Sequence, residues 1–288
     1  MDRILITGAT GNVGLEIIRA LSEKSPKSEI YAGVKNPGKA DERLLGDHVK
    51  KVAFDFTKRD SITQAFRSCD ILFLLRPPQI SDVKKYFAPL IDLASEQAVK
   101  HIVFLSVQGV EKSTIIPHHK IEKLIVKSGI NYTFLRPAYF MQNFLTTLRE
   151  DLIRRDLIYL PAGDARFTLI DLYDVGRVGA EVLLNSESHM NQAYDLTNDE
   201  QLTFEEIAKQ LSEVLGRNIR FKSPDLLSFY LKKKKDGMEY GMIVVMMMLH
   251  FLPRFQKTPE TTNSVKNLTG FAPGSFRKFI VKNEKLLR

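Results

Sequence analysis

Three glycines set three residues apart, Gly8, Gly11 and Gly14, stand between an apolar run, Arg3 to Thr7, and a helical pattern at Leu15, Ile17, Ile18 and Leu21. The chemistry such a turn can do is binding. Without Cβ atoms the backbone can take unusual dihedrals and let a pyrophosphate approach closely. The helix that follows directs free N–H groups and the positive end of its dipole at the phosphates. A strand, a glycine turn and a helix together predict a dinucleotide site, cradled by Gly8, Thr10, Gly11, Asn12, Val13 and Gly14. An ordinary tight turn is the competing reading.

A residue that reads the ribose is expected about 20 positions beyond such a motif, where an Asp or Glu would hold the hydroxyls of NAD. This chain instead has Val34-Lys35-Asn36, with Lys39 close behind. A cation there suits a 2′-phosphate, so the cofactor expected is NADP(H) in preference to NAD(H). Solvated surface lysines are the alternative.

The elements that must position these residues alternate. Strands are predicted at 3–7, 29–34, 49–54, 71–75, 101–106 and 132–136, with helices between them at 61–67, 82–98 (containing Pro89, where a kink is expected) and 118–127. That alternation predicts an α/β fold with a Rossmann-type, doubly wound parallel sheet. Short strands follow at 157–159 and 167–170, a helix at 174–184, and a strand at 193–196 that returns to the sheet. Thr203 and Glu206 form a capping box for a helix ending at Gly216. A largely helical stretch, 226–252, breaks near Asp236-Gly237. Residues 1–155, with returning elements around 167–197, thus read as the nucleotide domain. Residues 198–288 read as a smaller, mostly helical C-terminal lobe on the substrate side that closes over the cofactor and is not an independent domain.

Open α/β sheets bind ligands beyond the carboxyl ends of their strands. Asp55 and Phe56 lie at one such end, where Asp55 either accepts from an adenine amino group or caps the next turn. Leu75, Arg76 and Pro77 lie at another and line the nicotinamide side; Arg76 either pairs with phosphate or forms a surface salt bridge.

With 44% hydrophobic and 26% charged residues, the 288-residue chain has the composition of a globular protein with ample core. The single cysteine, Cys69, excludes an internal disulfide and suits a reducing compartment. The longest apolar run, Met242 to Leu249, is far short of the roughly 20 residues a membrane helix needs. With no signal peptide read at the N-terminus, a cytoplasmic protein without a membrane partner is expected. The net charge of +8 suits a multiply negative cofactor. No helix-turn-helix, zinc spacing or aromatic-basic interleaving accompanies it, so no nucleic-acid contact is expected. The dense basic run Lys232 to Lys235 reads as a solvated helix end.

The segment Thr7-Gly-Ala-Thr-Gly-x-x-Gly14 resembles the short-chain dehydrogenase/reductase superfamily. Ser106-Val-Gln-Gly, then Ser128-Gly-Ile-Asn-Tyr-Thr-Phe-Leu-Arg-Pro-Ala-Tyr-Phe-Met-Gln-Asn143, and Thr168-Leu-Ile-Asp-Leu-Tyr-Asp-Val-Gly176 narrow that resemblance to the NmrA-like group of atypical members. The likeness covers most of the chain. It implies NAD(P)H-dependent quinone and triarylmethane-dye reductases on one side and non-catalytic redox-sensing regulators on the other.

Catalytic members of the superfamily pair a Tyr with a Lys four residues later and use a Ser to steady the substrate carbonyl. Ser106 fits the serine; at the spacing of the pair stand His119 and Lys123, with Lys120 a second candidate for the ribose. His119 can supply a proton near neutrality or serve structure alone. Its neighbour His118 makes no metal site with it, because adjacent helical residues point apart, and no metal is expected. Pro137 and Tyr139 join the cofactor set, and Tyr139, Phe140, Asn143 and Met242 are the candidates for an apolar or aromatic small-molecule substrate. The methionine-rich segment around Met242 serves equally as core or as a homodimer contact. The missing Tyr counts against alcohol and ketone substrates more than against electrophiles that take hydride directly. Two readings stand, an NADPH-dependent reductase of quinone-like or aromatic electrophiles or an NADP(H)-sensing regulator that binds a protein partner; a third, sugar-nucleotide epimerisation, is weakened by the same missing Tyr.

Overall fold

The computed structural model describes residues 2–25, 27–39, 46, 48–67 and 69–288. The chain folds as two compact units. The first comprises Met1–Pro137, Leu172–Leu196 and Ser264–Phe271; the second, Ala138–Asp171, Thr197–Asn263 and Ala272–Arg288.

In the first unit, β1 (Arg3–Thr7), β2 (Glu29–Val34), β3 (Lys50–Ala53), β4 (Ile71–Leu75), β5 (His101–Leu105) and β6 (Asn131–Pro137) are joined by a late strand, Gln192–Leu196. Among the described residues these seven form one sheet, ordered late strand–β6–β5–β4–β1–β2–β3, and every ladder is parallel. This is the doubly wound, Rossmann-type sheet the alternation predicts. Its central strands are apolar on both faces because helices cover both. Leu5, Leu72, Leu74, Ile102, Phe104 and Phe134 pack under the helices Arg59–Phe66, Val83–Glu96 and Pro117–Ser128. On the opposite face the helix Asn12–Lys24 lies against Leu172–Leu184. Their approach leaves no space for side chains at the crossing: a Cβ on Gly176 would lie 2.7 Å from the Glu16 carbonyl oxygen, and one on Gly179 would lie 2.1 Å from Ile17. Pro89 stands inside a helix that continues to Glu96, opened by Asp82, whose carboxylate accepts from the Lys85 N–H at 3.0 Å.

In the second unit, β7 (Tyr139–Phe140) pairs with β9 (Phe167–Ile170), which pairs with a strand at Gln201–Leu202; β8 (Leu157–Tyr159) pairs with Arg220–Lys222. Thr203 and Glu206 make the expected capping box, Oγ1 accepting from the Glu206 N–H at 3.1 Å and the carboxylate from the Thr203 N–H at 2.8 Å. The helices Leu226–Lys235 and Tyr240–Phe251 flank a break at Gly237, as the Asp-Gly pair predicts. An aromatic core of Phe144, Phe167, Phe204, Phe229 and Phe276 holds this unit together. Each such ring contributes about 1.5–3 kcal/mol by burial.

The lysine run is not the solvated helix end its composition suggests. Lys233 is only 4% exposed, and its Nζ donates to Asp151 Oδ2 at 2.5 Å; Lys232 bonds Asp151 and Asp236. Only Lys234 and Lys235 face solvent. Among the described residues no helix is long and apolar enough to cross a membrane.

Candidate functional site

The three glycines do different work. Gly8 has φ +62°, a conformation L side chains rarely adopt, and its Cβ position lies 2.9 Å from Leu75. Gly14 sits inside the first helical turn, where a Cβ would meet the Gly8 carbonyl oxygen at 2.4 Å. Helix and strand therefore need glycine at both positions for their own packing. Gly11 does not. Its φ of −84° suits any residue, and a Cβ would touch only the Gly8 oxygen, at 3.3 Å. Gly11 is exposed, and apart from that one backbone oxygen and its chain neighbours no atom of the described residues lies within 4 Å of its Cβ position. No side chain caps the helix that starts here, and its first turn carries no acidic residue. An exposed N-terminus with free N–H donors and an open backbone fits a phosphate-bearing group. Thr10 and Asn12 are exposed on the same turn, and Val13 is buried behind it.

Beyond β2, Lys35 and Asn36 are exposed and a short turn, Pro37–Lys39, brings Lys39 round, its N–H bonding the Asn36 carbonyl at 3.1 Å. Asp55, buried beyond β3, spends Oδ1 on the Thr57 N–H (2.9 Å) and hydroxyl (2.7 Å), the turn-capping role. Burial raises its pKa, but those two bonds and the charges of Lys35 and Lys58 outweigh it and hold the carboxyl below the ordinary range. Phe56 stacks edge-on against Phe54, with centroids 5.1 Å apart.

Thr7 ties β1 to the end of β4, its hydroxyl donating to the Phe73 carbonyl at 3.0 Å and accepting from the Leu75 N–H at 2.9 Å. Leu75 is thereby held over Gly8. Arg76, next in the chain, turns back onto its own loop. Its NH1 donates to the carbonyls of Pro77, Pro78 and Ile80 within 3.2 Å, and its Nε to His118 Nε2 at 3.4 Å. The guanidinium thus braces the Pro77-Pro78 loop. Ser106, beyond β5, anchors its N–H on the Leu135 carbonyl at 2.7 Å, while its Oγ is buried without a hydrogen-bond partner. A buried hydroxyl left unpaired is costly, so an outside partner for it is the economical account.

The adjacent histidines diverge, as helix geometry requires. His119 uses Nδ1 to donate to the Val110 carbonyl at 3.1 Å, and with Lys123 it lines a groove of about 430 Å³ beside Glu122, Tyr132, Arg136 and Asn191. Neither Ser106 nor any glycine of the turn lines that groove. Arg136 holds Glu122 there through two bonds, 2.7 and 3.1 Å. Lys120 and Lys123 are exposed. His118 instead turns toward the loop after β4 and packs on Phe104, with centroids 6.0 Å apart. Burial and then the charge of Arg76 push it down to about 3, so it is neutral at pH 7. Sequence alone gives His118 no role beyond its exclusion as a metal partner. Its helical spacing to the buried Ile121, Glu122 and Ile125 was the available signal.

Pro137, buried, accepts from the Gln108 N–H at 3.0 Å. Tyr139 lies in the second unit's aromatic core, its ring edge-on to Phe144, Phe167 and Phe204 and its hydroxyl 3.2 Å from His250 Nε2. Burial raises that phenol's pKa and keeps it protonated. Phe140 is half-buried opposite Ile170, Asn143 is half-buried, and Met242 is exposed on the helix Tyr240–Phe251.

Residues 1–249 match the NmrA-like family. The chain belongs to this family. Prestalk A differentiation protein A of Dictyostelium discoideum is 26% identical, over 96% of this chain and 90% of its own length. Quinone oxidoreductase 2 of Escherichia coli is 26% identical, over 83% of this chain and 84% of its own. A Citrobacter sp. triphenylmethane reductase solved with NADP(H) superposes with a TM-score of 0.86 at 26% identity, over 97% of this chain and 99% of its own. This NmrA-like chain therefore has an NAD(P)-binding, Rossmann-type fold, and its relatives include quinone and dye reductases.

Proposed function

We propose that this NmrA-like protein is an NADPH-dependent oxidoreductase that passes hydride to a small electrophilic substrate, quinone-like or aromatic. The observation that carries the reading is the turn at Gly11, exposed and at an ordinary φ, where a Cβ would meet only one backbone atom, the Gly8 oxygen at 3.3 Å. Gly8, Thr10, Gly11, Asn12, Val13 and Gly14 hold the pyrophosphate by their backbone and the helix N-terminus. Lys35, Asn36 and Lys39 read the 2′-phosphate, and Asp55 and Phe56 border the adenine. Leu75 and Pro77, braced by Arg76, with Pro137 and Tyr139, shape the nicotinamide side. The bound dinucleotide supplies the hydride.

Ser106 offers its free hydroxyl to the oxygen on which charge develops. His119 with Lys123, and Lys120 beside them, remain the candidates at the spacing of the superfamily's pair. His118 is the histidine held at the loop after β4. A quinone or cationic dye takes hydride without concerted proton transfer, so an imperfect acid site suits such substrates. Phe140, Asn143 and Met242 offer apolar and amide contacts to a flat ligand, and Tyr139 contributes its ring, because its hydroxyl is engaged by His250.

The test is oxidation of NADPH, and of NADH in parallel, against a panel of quinones and cationic aryl dyes. Turnover favouring NADPH is expected. Tight NADPH binding with no oxidation above the uncatalysed rate would move the assignment to an NADP(H)-sensing regulator. That second reading draws on His119 standing at the place of the usual Tyr, and on a relative named for differentiation rather than for an activity.

A further inference from the structure

The helix Tyr240–Phe251 is apolar nearly all round, yet it buries only Ile243, Met246 and His250. A helix of that composition is ordinarily enclosed. Here Met242, Val245, Met248, Leu249 (54% exposed) and, just beyond, Leu252 remain open to solvent. Their spacing of three and four places them on one stripe, about 15 Å long at 1.5 Å per residue. The helix Leu226–Lys235 packs alongside and exposes Leu227 and Leu231.

Each end of the stripe carries rings and a cation. At the start, Lys234 Nζ lies 5.8 Å from the centre of the Tyr230 ring, which is edge-on to Tyr240 at 6.3 Å. At the far end Arg254 lies 5.1 Å from the Phe251 ring, with Phe255 73% exposed. Asp151 and Asp236 engage Lys232 and Lys233, whereas Lys234, Lys235 and Arg254 face solvent. Glu239, exposed at the helix start, offsets one of these charges.

We propose that this face rests on the surface of an anionic lipid bilayer. An apolar stripe for the acyl boundary, tyrosine and phenylalanine rings at headgroup depth and cations for the lipid phosphates are the components of an interfacial helix. A second copy of the chain fits less well. In an antiparallel two-fold pairing the end bearing Lys234 and Lys235 would face the end bearing Arg254, setting like charges together. A surface contact requires no spanning helix, and it departs from the expectation of no membrane partner. Apart from Met242, which the proposed substrate set shares, it is independent of the reductase assignment.

The full-length protein would be sedimented with vesicles of phosphatidylcholine alone and of phosphatidylcholine mixed with phosphatidylglycerol, at low and at raised salt. Binding to the mixed vesicles should exceed that to the neutral ones by at least about fivefold and fall with salt. Met248→Glu/Leu249→Glu should abolish it and Lys234→Glu/Lys235→Glu should remove the preference for anionic lipid, with thermal unfolding curves confirming that each variant is folded. No binding to the mixed vesicles overturns the proposal. So does undiminished binding by both folded variants, which would place the contact elsewhere on the basic surface. A dimer in sedimentation velocity that the Met248→Glu/Leu249→Glu variant dissolves would assign the face to a second copy instead.

Discussion

Nε of Arg76 donates to Nε2 of His118 over 3.4 Å, joining the loop that follows β4 to the first turn of the helix that follows β5. The two loops at the carboxyl edge of the sheet are thereby held by one contact between side chains 42 residues apart in sequence. A neutral imidazole is what the contact needs, because an imidazolium would face a guanidinium. His118→Ala should therefore loosen the Pro77-Pro78 loop and lower kcat/KM for dye or quinone reduction about tenfold, while His119→Ala leaves it within about threefold. Steady-state kinetics of the two variants decide it. The opposite order would return the proton-handling role to His119.

Gly11→Val and Gly14→Ala should fail in different ways. Gly11 has an ordinary φ and little around it, so Gly11→Val should fold and lose NADPH affinity by filling the space the pyrophosphate needs. Gly14→Ala places a methyl 2.4 Å from the Gly8 oxygen, so overpacking should cost about 1–3 kcal/mol of stability. Urea unfolding and cofactor titration on both variants check this. Undiminished affinity in a folded Gly11→Val would sink the assignment of the turn.

Lys35→Asp removes a cation and supplies an acceptor for ribose hydroxyls. The ratio of NADPH to NADH affinity should fall about tenfold, corresponding to about 1.4 kcal/mol. Fluorescence titration with each cofactor measures it, and an unaltered ratio would exclude Lys35 as the phosphate reader.

Acid should weaken the fold in a window set by buried histidines. Burial, helped by His189, pushes His101 down to about 4; burial and Arg76 push His118 to about 3; burial, against a bond to the Met246 carbonyl, pushes His250 to about 4. The unfolded chain binds these protons near pH 6.5 and the native state resists them. Their contribution is therefore complete above about pH 6.5 and is lost as pH falls toward 4, at up to about 1.4 kcal/mol per pH unit for each group. Asp70, depressed by its bonds to Arg3, contributes stability that is lost only below the ordinary carboxylate range, outside that window. Urea midpoints at pH 7, 6, 5 and 4 should fall, and less steeply in His101→Gln. A flat profile would contradict the burial of these rings.

Asp151→Asn should be among the most damaging single changes in the second unit. It leaves the Lys233 ammonium buried without a counter-charge, at a cost of about 3–5 kcal/mol. Asp151→Leu/Lys233→Leu should recover most of that loss in chemical denaturation, because apolar side chains replace a buried pair at little net cost. Failure to recover would mean that Lys232 and Arg155, which also bond Asp151, carry the larger share.

Local sequence determined the parallel sheet nearly residue by residue. Runs such as Ile71-Leu-Phe-Leu-Leu75 and His101-Ile-Val-Phe-Leu105 are apolar on both faces, a pattern only a doubly covered strand satisfies, and the observed β4 and β5 coincide with them to within a residue. The capping box at Thr203 and the break at Gly237 were equally legible, because each depends on bonds within a few residues. Sequence also placed the glycine turn, but not which glycine the protein could spare. Gly14 is held by the Gly8 oxygen and Gly8 by Leu75, and only folding reveals that Gly11 is left open.

Tertiary structure alone decided the rest, since it concerns partners far apart in the chain. The helix Ser264–Thr269 belongs to the first unit although it follows 67 residues of the second, 197–263. The choice between His118 and His119 for the loop after β4 depends on a rotation of about 100° per residue around one helix, and therefore on which face the sheet covers. Lys233 reads as solvated in a run of four lysines because nothing local announces Asp151, 82 positions earlier, as its partner. The same long-range packing buries one side of Tyr240–Phe251 and leaves the other bare. Local bonds and burial periodicity are written in adjacent residues; charge pairing and exposure are written only where distant elements meet.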